Sequence, residues 1–137
     1  MKEIKKDFFK VLLLVFLDQI TKIVFSIFQY DFGFFAFNLI KNEGISFGLL
    51  QGSNYIVGFL SIIILYFLIK HRDEFKNEKF FYFLIVAGVI GNTIDRLLRG
   101  HVIDFIDFKI WPVFNLADTY LVIGVLGYII KTLIYKK

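Results

Sequence analysis

Four apolar runs, at about residues 11–28, 55–69, 80–98 and 116–134, take up most of this chain, and its charged residues fall in short blocks between them. Runs of that length leave few structural choices. Crossing the hydrocarbon of a bilayer takes about 20 apolar residues in a helix. A backbone in that environment must satisfy its own hydrogen bonds, so each run is predicted to be a helix. Composition points the same way: 58% of the 137 residues are hydrophobic, against roughly 45–50% in an ordinary soluble domain. The expected class is an all-α polytopic membrane protein, a single domain over residues 1–137 with four transmembrane helices.

The net charge of +4 does not mark a nucleic-acid partner, because the basic residues sit in blocks beside the apolar runs and match topology determinants. Eleven of them fall in the N-terminal leader, the connector 70–79 and the C-terminal tail. The positive-inside rule then predicts both termini on the cytoplasmic side. With no cysteine, disulfides, thiolate nucleophiles and Cys-ligated metals are excluded. A cleaved secretory signal is not expected at the N-terminus: the apolar stretch before Asp18 is short and no small-x-small site follows it.

Against this background the polar residues inside or beside the apolar runs stand out, since ionisable groups next to hydrocarbon are costly. Asp18 and Lys22 interrupt the first run at i and i+4, a spacing that lets them pair on an inward helix face. The third run ends in Asn92, Asp95, Arg96 and Arg99, all on one helical stripe. Above it, Ala87, Gly88 and Gly91 permit close approach of another helix. Half of the chain's aspartates (Asp95, Asp104, Asp107 and Asp118) lie between Gly91 and Asp118.

The segment 32–50 reads differently. Phe35, Phe37 and Leu39 alternate with smaller or polar neighbours, and Asn42-Glu43-Gly44 signals a turn, so a small extracytoplasmic β hairpin is expected, with residues 45–50 returning. Residues 101–114 are too short and too aromatic for a span, and Trp111-Pro112 marks an interfacial turn. Asn115 stands where the N-cap of the fourth helix belongs, with Asp118 in its first turn.

Two carboxylates brought together in a low-dielectric pocket cannot both ionise cheaply, which is the requirement for general acid–base hydrolysis by an aspartyl pair. Asp118 is one candidate; Asp104 and Asp107 are both candidates for its partner. His101, Asp104 and Asp107 at i, i+3 and i+6 also offer a cation site, but one histidine and no cysteine make a poor ligand set. No metal or cofactor is expected. A Ser–His device is weaker still, because nothing near Ser46 or Ser53 resembles a nucleophile elbow.

Four blocks in order carry a family resemblance: Asp18-Gln19-Ile20-Thr21-Lys22; Asn42-Glu43-Gly44-Ile45-Ser46-Phe47; Gly91 to Arg96 continuing into Gly100 to Phe105; and Phe114-Asn115-Leu116-Ala117-Asp118. The chain resembles the lipoprotein signal peptidases (signal peptidase II) over nearly its whole length. One departure is Ser46, where that family commonly has alanine. The resemblance implies an aspartyl endopeptidase of the bacterial cytoplasmic membrane, and the grouping of basic residues predicts that its active site faces outward. Its substrate would be a diacylglyceryl-modified prolipoprotein, cut just before the lipidated cysteine. It implies Asp104 and Asp118 as the catalytic pair, leaving Asp107 aside. Asp18, Lys22, Asn42, Gly44, Asn92, Asp95, Arg96 and Asn115 would order the site or contact substrate and lipid. Substrate and membrane lipid are the partners it implies; the chain is expected to act as a monomer.

Overall fold

The computed structural model describes residues 2–44 and 53–135. Four helices carry most of the chain: α1 (Lys2–Ile27), α2 (Asn54–Lys70), α3 (Lys79–Leu98) and α4 (Leu116–Tyr135). Strands β1 (Tyr30–Asp31), β2 (Ala36–Asn42) and β3 (Val102–Asp107) form one antiparallel sheet in the order β1-β2-β3. The fold is thus mainly helical with a small sheet. Among the described residues, 79–98 and 116–134 are long and apolar enough to cross a membrane, and α2, with 17 residues, is a shorter apolar helix.

The basic leader is not separate from the first helix. α1 begins at Lys2, since nothing in the leader breaks a helix, and Asp7 pairs with Lys10 at i,i+3. Asp7 also reaches Arg72 and Lys79, while Lys131 of α4 pairs with Glu78. The start of α1, the connector 71–78 and the end of α4 therefore meet at one end of the bundle. The sheet lies at the other.

Glycine lets the helices close. A Cβ on Gly88 would stand 2.6 Å from the Ala117 carbonyl oxygen, and one on Gly91 would stand 2.5 Å from Asp18 Oδ2. α3 is consequently the central helix, with α1, α2 and α4 packed around it. Val15, Leu84, Ala87 and Tyr120 form a buried apolar cluster. Phe83, Val86, Val102 and Phe105 are buried as well, but the outer surface is not polar. Long apolar side chains on α1, α2 and α4, such as Phe16, Phe59 and Ile123, are exposed. Four of the five largest fully buried side chains are polar or charged: Lys22, Asn115, Asp18 and Asp95. Such a surface suits a hydrocarbon solvent.

The sheet differs from the expected hairpin. β2 pairs with β1 on one side and with β3 on the other, and β3 comes from between α3 and α4. The expected return over 45–50, with Ser46, lies outside the described residues. The β-branched and aromatic residues Val102, Ile103, Phe105 and Ile106 were the available signal for β3; its shortness, its lack of strict alternation and its neighbouring Trp-Pro turn disguised it. The β2–β3 register slips by one residue between Phe37 and Ile40, which is a β-bulge on β2. Phe105 and Phe37 stack with Phe25 of α1, the Phe25 ring centroid lying 4.8 and 4.0 Å from theirs, and this fastens the sheet to the bundle.

Candidate active site

The site lies where the sheet meets the starts and ends of the helices. Asn115 caps α4: its Oδ1 accepts the Asp118 amide N–H at 2.9 Å, and the Asp118 carboxylate accepts the Asn115 N–H at 3.1 Å. This is a capping box built with acid and amide. Asp18 takes a further unpaired N–H of the first turn, that of Ala117, at 2.9 Å.

The same asparagine reaches β3. Asn115 Nδ2 donates to Asp104 Oδ1 at 2.7 Å and to Asn92 Oδ1 at 3.1 Å. Asn92 Nδ2 donates to Asp118 Oδ1 at 2.8 Å. On the sheet side, Asn42 Nδ2 donates to Asp104 Oδ2 at 3.0 Å, while Asn42 Oδ1 accepts the Gly44 N–H at 3.1 Å. Asp104 is 2% exposed. Burial pushes its carboxyl up to about 7, and the charge of Asp118 adds to the rise against the opposing amide hydrogen bonds.

Beneath this pair lies an ion cluster. Lys22 Nζ contacts Asp18 Oδ2 at 2.8 Å and Asp95 Oδ2 at 2.9 Å, with all three side chains fully buried. It also donates to Asn92 Oδ1 at 3.1 Å. Asp95 accepts the Ile103 N–H at 3.2 Å, which ties the start of β3 to α3, and it pairs with Arg99. Arg96 is partly buried near Asp118 and Asp104; its Nε is buried and makes no hydrogen bond.

The fold thus brings together Asp104, Asp118, Asn115, Asn92, Asn42, Lys22, Asp18, Asp95 and Gly44, with Arg96 alongside. Asp107 stands apart. Its carboxylate is held by the Lys109 backbone N–H at 2.7 Å and by Asn38 Nδ2 at 2.7 Å, which keep it below the usual carboxylate range. Along a strand, positions three apart face opposite sides, so Asp104 and Asp107 separate where a helix would have aligned them. Among the described residues no group of three or more His, Asp or Glu is arranged to hold a metal ion.

Gln19 is a member that spacing did not single out, because it adjoins Asp18 rather than sharing its face. Its Nε2 donates to Asp18, to the Gly91 carbonyl at 3.2 Å and to Asp95 at 3.2 Å, and its Oε1 accepts from Arg99 at 2.8 Å. Beside Asp118, a cavity of about 510 Å³ is lined mainly by apolar side chains, among them Trp111, Phe114, Leu121, Val122 and Ile123.

The molecule is thus of a recognisable class, a helical protein with an apolar outer surface and two carboxylates bridged by one asparagine. Residues 10–134 match the family model for signal peptidase (SPase) II. A lipoprotein signal peptidase of Caldanaerobacter subterraneus subsp. tengcongensis is 38% identical over 135 residues, covering 87% of this chain and 91% of that protein. One from Halothermothrix orenii is 34% identical, covering 83% and 86%. A solved structure described as a bacterial membrane enzyme superposes with a TM-score of 0.81 at 31% identity, over 95% of this chain and 88% of that one. The chain belongs to the signal peptidase II family.

Proposed function

We propose that the protein removes signal peptides from prolipoproteins whose lipobox cysteine carries diacylglycerol. It cuts immediately before that cysteine, with Asp104 and Asp118 as the catalytic carboxylates. One observation carries the assignment: a single asparagine, Asn115, hydrogen-bonds both carboxylates, and one of them is raised to about 7 by burial and by its neighbour's charge. A pair holding one proton between them supplies both halves of peptide hydrolysis. The ionised member takes a proton from water and the neutral member polarises the scissile carbonyl.

The charge balance supports the shared proton. Lys22, Arg96 and Arg99 face four carboxylates, Asp18, Asp95, Asp104 and Asp118. One proton among the four makes the cluster neutral. A buried cluster with unbalanced charge would be expensive.

The remaining residues have supporting roles. Asp18, Lys22 and Asp95 hold α1, α3 and α4 in register; Asn42, Gly44, Asn92 and Asn115 orient the carboxylates; Arg96, with a free donor, meets the substrate. The apolar cavity beside Asp118 receives lipid attached next to the scissile bond. All four helices span the bacterial cytoplasmic membrane. α2 is short for the task, and Lys70 and the Asn54 end sit at its borders. α1 tolerates Asp18 and Lys22 because both are buried and paired. Members of the three basic blocks, Lys10, Arg72, Lys79 and Lys131, gather at one end of the bundle, which supports cytoplasmic termini and an outward-facing site. The protein acts as a monomer within membrane lipid.

Purified protein in detergent, given a diacylglyceryl-modified prolipoprotein, should cleave it. Asp104→Asn and Asp118→Asn should each abolish cleavage without loss of expression. Activity in both variants would refute the catalytic pair, and activity removed by chelator and restored by zinc would indicate a metal mechanism instead. A reporter fused after Lys137 should report cytoplasm, and one near Gly52 the opposite side.

A further inference from the structure

We infer that the two aspartates have fixed and different protonation roles, Asp118 ionised and Asp104 carrying the proton, and that Lys22 is the positioning residue that enforces this through Asn92. The inference rests on the catalytic pair proposed above and deepens it.

The orientation of every amide in the site follows from a group that can only donate. The Asp118 backbone N–H donates to Asn115 Oδ1, the Gly44 N–H donates to Asn42 Oδ1, and the Lys22 ammonium donates to Asn92 Oδ1. An amide whose oxygen is claimed must present its NH2 on the other side. Asn92 therefore offers a donor to Asp118 Oδ1, and Asn115 and Asn42 offer donors to Asp104.

The four carboxylates then differ in what holds them. Asp18 accepts from Lys22, Gln19 and the Ala117 N–H; Asp95 accepts from Lys22, Gln19, Arg99 and the Ile103 N–H. Each of the two touches a cation and a backbone amide. Asp118 accepts Asn92 Nδ2 on one oxygen and the Asn115 N–H on the other, in the first turn of α4, where the helix dipole favours negative charge. Among the described residues, Asp104 alone of the four has neither a direct cation contact nor a backbone N–H, only two side-chain amides, and it lies on a strand with no such dipole. The charged groups around it are Lys22 from α1, Asp95 and Arg96 from α3, and Asp118 from α4. The burial that raises Asp104 to about 7 agrees with its holding the proton.

The roles in hydrolysis follow. The Asp118 carboxylate takes a proton from water as the water oxygen bonds to the scissile carbonyl carbon, and the Asp104 proton passes to the carbonyl oxygen. Asp118 then delivers its proton to the leaving nitrogen as the C–N bond breaks, and Asp104 recovers a proton from the collapsing diol.

Carboxyl ¹³C NMR of aspartate-labelled protein in detergent reads the roles without requiring turnover. At about pH 6, below the value of about 7 to which Asp104 is raised, the resonance lost in Asp104→Asn should be a neutral carboxyl and the one lost in Asp118→Asn a carboxylate. Lys22→Met frees the Asn92 amide to turn its oxygen toward Asp118, so the Asp118 resonance at the same pH should move from carboxylate toward neutral carboxyl. Should Lys22→Met not fold, Asn92→Ala removes the same donor and should give the same change. The inference is overturned if the neutral resonance belongs to Asp118, or if the Asp118 resonance is unmoved in the folded variant. Wild-type cleavage of lipidated prolipoprotein, measured on the same sample, separates these outcomes: lack of cleavage would refute the enzymatic reading and leave the spectroscopic result to stand or fall alone.

Discussion

Replacing Asp104 by asparagine should abolish cleavage and, above about pH 7, make the protein more resistant to unfolding. In an unfolded chain this carboxyl titrates near its ordinary 3.8, and in the fold it is raised to about 7. Between those values the folded state binds a proton that the unfolded state has lost, so stability falls as pH rises through the window. Beyond it the full cost applies: roughly three pH units at about 1.4 kcal/mol each, on the order of 4 kcal/mol. Side-chain relaxation and water entry lower that figure. Asparagine is neutral throughout but has one acceptor oxygen where Asp104 offers two to Asn42 and Asn115, a mismatch costing about 1 kcal/mol. The net gain at about pH 8 is then roughly 1–3 kcal/mol, with no gain or a small loss near pH 5. Thermal unfolding in detergent, followed by Trp111 fluorescence at both pH values, reads the difference as a shift of several degrees. A difference between wild type and variant that is the same at both pH values would refute the reasoning, because only the buried titration predicts the crossover.

Three other outcomes follow from the packing. Gly91→Ala would place a methyl 2.5 Å from Asp18 Oδ2 and 3.2 Å from Ala117 Cβ, so a destabilisation of about 1–3 kcal/mol with a matching loss of activity should appear in unfolding and cleavage assays. Asn115→Ala removes the α4 cap and the donor to Asp104 together; the cap alone is worth about 1 kcal/mol, and activity should fall further than Asn115→Asp reduces it. Val122→Trp narrows the cavity beside Asp118 and should slow cleavage of long-chain diacylglyceryl substrates more than short-chain ones, measured as the ratio of kcat/KM values.

Much of the site was legible in the sequence because its elements are local. The i,i+4 spacing of Asp18 and Lys22 and the three-residue step from Asn115 to Asp118 each describe a single helical turn, and a helical turn brings the same neighbours together wherever it occurs. Asp104 and Asp107 were a different matter. Choosing between them required knowing that residues 102–107 are a strand, since the two positions align on a helix and oppose each other on a sheet. The family resemblance implied Asp104 without supplying that physical reason.

Composition within single segments sets the helices, the cost of any charge they bury and the grouping of basic residues. Which distant polar groups meet depends instead on how separate segments pack. The clearest case is Asn42, 62 residues before the Asp104 it contacts. The bulge between Phe37 and Ile40 pairs Ile40 with Asp104, and Asn42, two residues on, shares that face. Without the slip Leu39 would sit opposite Asp104, and Lys41 would take the place of Asn42. A cation there would hold Asp104 as an anion and remove the shared proton. No local pattern encodes that register, because it arises from pairing between strands that α2 and α3 separate in the chain.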